Sequence, residues 1–109
     1  MGKEEAAAAL YNLSIHPAHR PELMTAGVHI SLSALLRDQD ATPVAKEYAA
    51  KVLRYLSIDP AHHPALMEAG VHISLRDLLN NPAATPWAKQ QANQTLANLE
   101  QTERCCTIS

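Results

Sequence analysis

"PAHRPELMTAGVHISL" at residues 17–32 and "PAHHPALMEAGVHISL" at residues 60–75 are near-copies of each other with three differences. Extending the comparison to residues 10–36 and 53–79 gives 19 identical positions of 27, at a constant offset of 43 residues. Self-similarity at a fixed period of about 20–50 residues is typical of arrays in which one structural unit stacks on the next. The repeat therefore predicts a stacked architecture for this chain.

Proline, glycine and threonine divide each copy into three helices. A short first helix is expected to have proline in its first turn and to end at a left-handed glycine. These residues are Pro21 and Gly27 in one copy and Pro64 and Gly70 in the other. A second helix follows, and the Thr-Pro pairs at 42–43 and 85–86 supply an N-cap and first-turn proline for a third. That third helix is predicted to end near Ser57 in one copy and near Leu99 in the other.

The third helix has the clearest apolar periodicity. Its apolar residues follow the spacing i, i+3, i+4, i+7, i+8 and i+11, which places them on one helical face. They are Ala45, Tyr48, Ala49, Val52, Leu53 and Leu56. The segment "AAAALYNLS" at residues 6–14 aligns with the end of this helix. The predicted fold is therefore all-α, with one lone N-terminal helix followed by two three-helix repeats.

The period also sets the expected domain boundaries. A single helical-repeat domain is predicted over residues 3–100, with a partial repeat at 3–14 and full repeats at 15–57 and 58–100. Residues 101–109 are expected to form a flexible tail, because the apolar pattern stops at Leu99. Tyr48 and Val52 correspond to Gln91 and Thr95 in the second copy. This exchange predicts a polar outer face on the last helix, as terminal repeats require.

Composition excludes several classes of protein. The 109-residue chain has a net charge of −2 and no cluster of lysine or arginine, so we expect no nucleic-acid partner. No apolar stretch reaches the length of a membrane span. The N-terminal "MGKEEAAAAL" lacks the hydrophobic region of a secretory signal. These features together predict a cytoplasmic protein.

Residues 65–99, "ALMEAGVHISLRDLLNNPAATPWAKQQANQTLANL", resemble an armadillo repeat. The alanine-glycine turn, the leucine-rich second helix and the "LANL" ending match that family in order and spacing. The resemblance covers residues 4–100 and implies a right-handed α-solenoid. The chain departs from the family pattern at His29 and His72, where an aliphatic residue is usual, and it lacks the proline that opens the family's second helix.

The armadillo resemblance also implies a function. Such arrays bind extended peptides along a groove lined by third helices, where an asparagine near each helix end contacts the ligand backbone. An amide side chain suits this role because it carries both a donor and an acceptor. Asn12 and Asn98 match that asparagine, and Tyr55 replaces it in the middle copy. Ala8, Lys51 and Gln94 occupy positions where many arrays have tryptophan. The candidate peptide groove comprises Asn12, Glu47, Lys51, Tyr55, Gln90, Gln94 and Asn98.

Neither metal binding nor catalysis is predicted. A zinc site needs three or four converging ligands, whereas the six histidines occur as short loop pairs or single residues, and the duplication itself explains His19, His29, His62 and His72. The six histidines are His16, His19, His29, His62, His63 and His72. No serine or cysteine has a base partner at a recognised spacing, and three glycines form no phosphate-binding loop. We therefore expect no enzyme activity, no metal and no cofactor.

The C-terminal sequence "ERCCTIS" predicts a lipid anchor. Cys106 is the fourth residue from the end and fits a prenylation box, although Thr107 is not aliphatic. Cys105 beside it is placed for palmitoylation, and two lipids anchor a protein stably where one does not. The alternative is a short tail with two reduced thiols.

Two functions remain open on the sequence alone. The first is a non-enzymatic adaptor that binds a protein or extended peptide along its third helices, with membrane association through the C-terminal lipids. The second is a structural repeat or cap that associates with another helical-repeat surface or with its own copies. Solenoids commonly need about three repeats for stability, and the N-terminal helix has no first and second helix of its own.

Overall fold

A computed structural model describes the backbone of residues 3–108 and the side chains of residues 4–100. Within that part, every regular element is helical, which confirms an all-α protein. The α-helices are α1 (Lys3–Ser14), α2 (Arg20–Thr25), α3 (Val28–Arg37), α4 (Pro43–Leu56), α5 (His63–Glu68), α6 (Val71–Asn80) and α7 (Pro86–Ile108). Short 3-10 helices at Pro17–His19 and Pro60–His62 precede α2 and α5.

The predicted helix boundaries follow local backbone chemistry. Gly27 and Gly70 both have φ of 77°, the left-handed conformation that ends α2 and α5. The second helices begin directly after these glycines, at Val28 and Val71. Pro21 and Pro64 lie in the first turns of α2 and α5, as expected.

Thr42 and Thr85 each cap one third helix and bridge to the preceding one. The backbone N–H of Ala45 donates to Thr42 Oγ1, at 3.1 Å, and the Thr42 hydroxyl donates to Glu4 Oε2 at 2.8 Å. In the second copy, the Thr85 hydroxyl donates to Glu47 Oε2 at 3.0 Å and accepts from the backbone N–H of residue 88. The same contact therefore repeats with the period of the sequence.

The third helices pack in a row with α4 in the middle. Helix α4 contacts α1 on one side and α7 on the other, while α3 packs on α6 and each second helix packs on the third helix of its own copy. The core runs through all of these contacts, and Val52, Leu53 and Leu56 of α4 are fully buried. Between α3 and α6, the buried hydroxyls of Ser33 and Ser74 are hydrogen bonded at 2.5 Å.

Helix α7 continues beyond the predicted end at Leu99. Its backbone is helical to Ile108, because no proline or glycine follows Pro86 to stop the helix. The side chains of Cys105 and Cys106 lie outside the described residues, as does Ser109. Lipidation of this segment stays a prediction, and so does its flexibility. No helix within residues 3–108 is both long and apolar enough to cross a bilayer.

The expectation that Gln91 and Thr95 form a polar outer face is wrong. Both residues are buried, with exposures of 4% and 0%. Gln91 Oε1 accepts a hydrogen bond from Arg54 Nη1 at 2.9 Å. The equivalent positions between α1 and α4 hold Tyr11 and Tyr48, whose ring centroids lie 5.8 Å apart. The α4–α7 interface thus has a hydrogen-bonded polar pair where the α1–α4 interface has an aromatic pair.

Candidate functional site

All four aromatic residues of the chain lie on the third helices, where they meet three cationic side chains. Tyr11 belongs to α1, two tyrosines belong to α4, and Trp87 belongs to α7. We call this group the ring–cation cluster. It consists of Tyr11, Tyr48, Tyr55 and Trp87 with Arg20, Lys51 and Arg54.

Lys51 lies at the centre of the ring–cation cluster. Its Nζ is 5.2 Å from the ring centroids of Tyr11, Tyr48 and Trp87. These rings come from three different helices, so the contact depends on the stacking of α1, α4 and α7. Each cation–π contact stabilises by about 0.5–1 kcal/mol at an exposed site. These contacts favour one position for the ammonium of the half-buried Lys51 side chain.

Tyr55 lies between two guanidinium groups. Arg20 Cζ is 5.2 Å and Arg54 Cζ is 5.7 Å from the Tyr55 ring centroid. Arg20 is fixed by its Nε, which donates to the carbonyl oxygen of Ser14 at the end of α1, at 2.8 Å. Arg54 is fixed by its bond to Gln91. Both arginines are thus positioned by groups outside the cluster.

Tyr11 connects the two halves of the ring–cation cluster. Its ring centroid lies 5.8 Å from that of Tyr48 and 5.9 Å from that of Tyr55. Burial raises the pKa of the Tyr11 phenol above its usual value, and the neighbouring Tyr55 adds to this shift. The phenol therefore stays protonated at neutral pH and can act as a hydrogen-bond donor.

The three residues predicted to contact a ligand backbone differ in availability. Asn12 is exposed on α1. Tyr55 is half-buried within the ring–cation cluster. Asn98 is half-buried, and its Nδ2 donates to the hydroxyl of Ser57 at 3.0 Å, which leaves its carbonyl oxygen and its second N–H for a ligand.

The other predicted groove residues flank the ring–cation cluster. Gln90 and Gln94 are exposed on α7. Glu47 is half-buried and accepts the hydroxyl hydrogen bond from Thr85. Of the seven predicted groove residues, Lys51 and Tyr55 belong to the cluster itself, where they contact aromatic rings.

The sequence reasoning missed most of the ring–cation cluster. It assigned Tyr48 to the apolar stripe and gave no role to Tyr11 or Trp87. A signal was present, because the chain has no phenylalanine and all its aromatic residues fall in third helices. The seven-residue spacing of Tyr48 and Tyr55 also places them on one side of α4. For Arg20, which comes from α2, no such signal exists.

The histidines act as local structural groups. His62 Nδ1 is 3.0 Å from the carbonyl oxygen of Leu56, and His63 Nε2 contacts that of Ser57. Arg20, the repeat equivalent of His63, makes the same contact at the end of α1. Within the described side chains, no three His, Cys, Asp or Glu residues are grouped as a metal ion would require.

His29 is the histidine with a perturbed environment. It is 6% exposed, and its Nδ1 has no hydrogen-bond partner among the described residues. Burial lowers the pKa of its imidazole, and the charge of His62 lowers it further. His29 is therefore neutral at physiological pH.

A groove separate from the ring–cation cluster lies between α1 and α3. We call it the α1–α3 groove. It has a volume of about 290 Å³, and its lining is mostly apolar. Its lining residues are Ala6, Ala7, Leu10, Ser31, Leu32, Ala34, Leu35 and Asp38. Ser31 is exposed here, whereas its repeat equivalent Ser74 is fully buried; Leu32 is buried like its equivalent Leu75.

Comparison with known proteins gives no family assignment. No family model, no curated protein and no solved structure matches this chain. The function is therefore inferred from the residues and contacts described above.

Proposed function

We propose that this chain is a non-enzymatic protein-interaction module with an armadillo-like, right-handed solenoid fold, which binds an extended segment of a partner protein along its third helices. The observation that carries this proposal is the ring–cation cluster. It gathers every aromatic side chain of the protein on the surface formed by α1, α4 and α7.

The composition of this surface favours a protein ligand. Tyrosine, tryptophan and arginine are the residues enriched at binding hot spots, because they bury large areas with few rotatable bonds or with many donors. Trp87 is 48% exposed although it is the largest apolar side chain in the chain. Its exposed ring provides an apolar contact area next to the polar groups of Gln90 and Gln94.

The repeat symmetry favours an extended ligand. Asn12, Tyr55 and Asn98 occupy equivalent positions on three successive third helices. An extended peptide presents its N–H and C=O groups at regular intervals, so polar groups repeated along a row of helices can bind them in turn. A compact ligand would contact one position and leave the others unused.

The test is affinity purification from cells that produce the chain, followed by mass spectrometry. Tyr55→Ala should reduce the yield of bound partners, since it removes the ring that Arg20 and Arg54 flank. The control is Ile73→Ser on α6, which removes an apolar side chain that is 47% exposed away from the third helices. Circular dichroism checks that both variants are folded. Partners that are lost with Ile73→Ser and retained with Tyr55→Ala would place the binding surface elsewhere.

The α1–α3 groove favours a second candidate function, a structural repeat that associates with another helical-repeat surface. On α6, Ser74 is fully buried and hydrogen bonded to Ser33 of α3, which packs on this face. Its repeat equivalent on α3, Ser31, is exposed and lines the groove with the half-buried Leu35. Leu35→Glu should abolish association through this face, because it places a charge on the apolar lining. Sedimentation with and without the captured partners, for this variant and for Tyr55→Ala, separates the two functions.

A further inference from the structure

We propose that the partner segment is acidic and that Lys51 is the charged anchor for one of its carboxylates, with Arg54 and Arg20 available to the next. This inference rests on the proposed function, since it names the chemistry of the ligand that the third helices bind.

Lys51 has a positive charge that is not paired with a carboxylate among the described residues. Three aromatic rings surround its ammonium at 5.2 Å, and each contact uses the ring face, so the cation–π contacts leave N–H donors free. Among the described residues, no carboxylate lies within ion-pair distance of Nζ. A half-buried ammonium that has no ion-pair partner among residues 4–100 has the charge and the N–H donors to bind an anionic group.

The nearest candidate counter-ion is already occupied. Glu47 lies one turn before Lys51 on α4, a spacing that commonly pairs glutamate with lysine. Its carboxylate instead accepts the hydroxyl hydrogen bond of Thr85, which ties α4 to the start of α7. The hydrogen bond to Thr85 therefore holds the Glu47 carboxylate beside the start of α7, and no ion pair with Lys51 forms.

The arginines extend the same pattern beyond Lys51. Arg54 follows Lys51 by three residues on α4, and its guanidinium uses one N–H on Gln91. Arg20 uses Nε and one Nη on carbonyl oxygens at the end of α1. A guanidinium has five N–H donors, so both retain donors for a ligand. Neither is paired with a carboxylate among the described residues.

The ring–cation cluster therefore has three positive charges, and the flanking Glu47 carboxylate supplies one negative charge, although the whole chain has a net charge of −2. Complementary charge gives an interface its specificity, and hydrogen bonds to charged groups are the stronger ones. Since the chain as a whole does not attract anions, we expect the charged contacts to slow dissociation more than they speed association. Glutamate or aspartate side chains on an extended peptide match this surface.

The experiment is a selection of displayed random peptides against the immobilised full chain. The variants are Lys51→Gln, which removes the charge, and Lys51→Arg, which retains it. Arg76→Gln is the control, since it removes one exposed positive charge from α6, outside the ring–cation cluster. Thermal unfolding confirms that each variant is folded before its affinity for the selected peptides is measured.

We expect the selected peptides to be enriched in aspartate and glutamate. Their affinity should fall about tenfold or more for Lys51→Gln, the loss of one charged hydrogen bond, and should be unchanged for Arg76→Gln. Lys51→Arg should retain most of the affinity. Neutral peptides that bind wild type and Lys51→Gln equally would overturn the acidic-ligand inference and leave the proposed function intact. Selection of no peptide at all would instead count against the proposed function.

Discussion

Truncation of one repeated leucine tests the stacking order of the third helices. Leu10, Leu53 and Leu96 are equivalent positions of α1, α4 and α7. Leu53 is fully buried between two neighbours, Leu96 is 9% exposed, and Leu10 is only partly buried against the core. Substitution of each leucine by alanine therefore removes the same atoms from three sites that differ in burial.

The magnitudes follow from burial. Leu53→Ala removes three fully buried carbons, about 2.4 kcal/mol of transfer free energy at roughly 0.8 kcal/mol each, and leaves a cavity that raises the cost to about 3–4 kcal/mol. Leu10→Ala leaves no enclosed cavity and should cost about 1 kcal/mol. We expect Leu96→Ala to lie between them. A domain of this size is stable by about 5–15 kcal/mol, so the Leu53 variant loses a large fraction of its stability.

The assay is urea denaturation followed by circular dichroism, with all variants at one protein concentration. We expect the free energy of unfolding to be lowest for Leu53→Ala, intermediate for Leu96→Ala and highest for Leu10→Ala. Equal losses at the three positions would refute the reasoning, because they would mean that α4 is not enclosed between α1 and α7. A larger loss for Leu10→Ala than for Leu53→Ala would mean that the N-terminal end is covered in solution.

Three further predictions concern pH, the backbone and helix capping. The pKa of His29 is lower in the folded chain than its value near 6.5 in the unfolded chain. The free energy of unfolding should therefore fall as pH drops below about 6.5. Denaturation curves of His29→Gln should show a weaker dependence on pH. Gly70→Ala should cost about 1–2 kcal/mol in thermal unfolding, since an added Cβ meets nothing within 4 Å and the cost comes from the positive φ alone. Thr85→Ala should cost about 1 kcal/mol in the same assay, because it removes an N-cap, whereas Glu47→Gln should cost less, because the amide oxygen still accepts the Thr85 hydroxyl.

The helix boundaries could be predicted because their signals are local. Proline in a first turn, glycine at positive φ and threonine at an N-cap act on the few residues beside them. Gly27, Gly70, Thr42 and Thr85 all have the predicted roles. The extension of α7 could not be located, because after Leu99 the sequence contains neither an apolar stripe nor a stop signal.

The ring–cation cluster depends on contacts between helices, which a single-helix pattern does not specify. The apolar stripe of α4 includes Tyr48, but the pattern does not show that Tyr11 of α1 and Trp87 of α7 lie beside it. The burial of Gln91 was missed for the same reason. Its partner, Arg54, lies 37 positions away, and the two side chains are compatible only because both differ from their aromatic equivalents.

The change of side-chain pair between successive interfaces bears on how a duplicated sequence avoids misassembly. Helix α7 could dock on α1 in place of α4 during folding, which is a characteristic kinetic trap of repeat proteins, because residues 43–56 and 86–99 have the same repeat register and 6 of 14 identical positions. That arrangement would set Gln91 against Tyr11, so the buried amide would lose the donor it has in Arg54, and Tyr11 would lose the ring of Tyr48. An unsatisfied buried amide costs about 1–3 kcal/mol. We therefore expect the two pairs to favour the correct neighbour for each helix, so that side-chain chemistry at the interfaces specifies the order of the units.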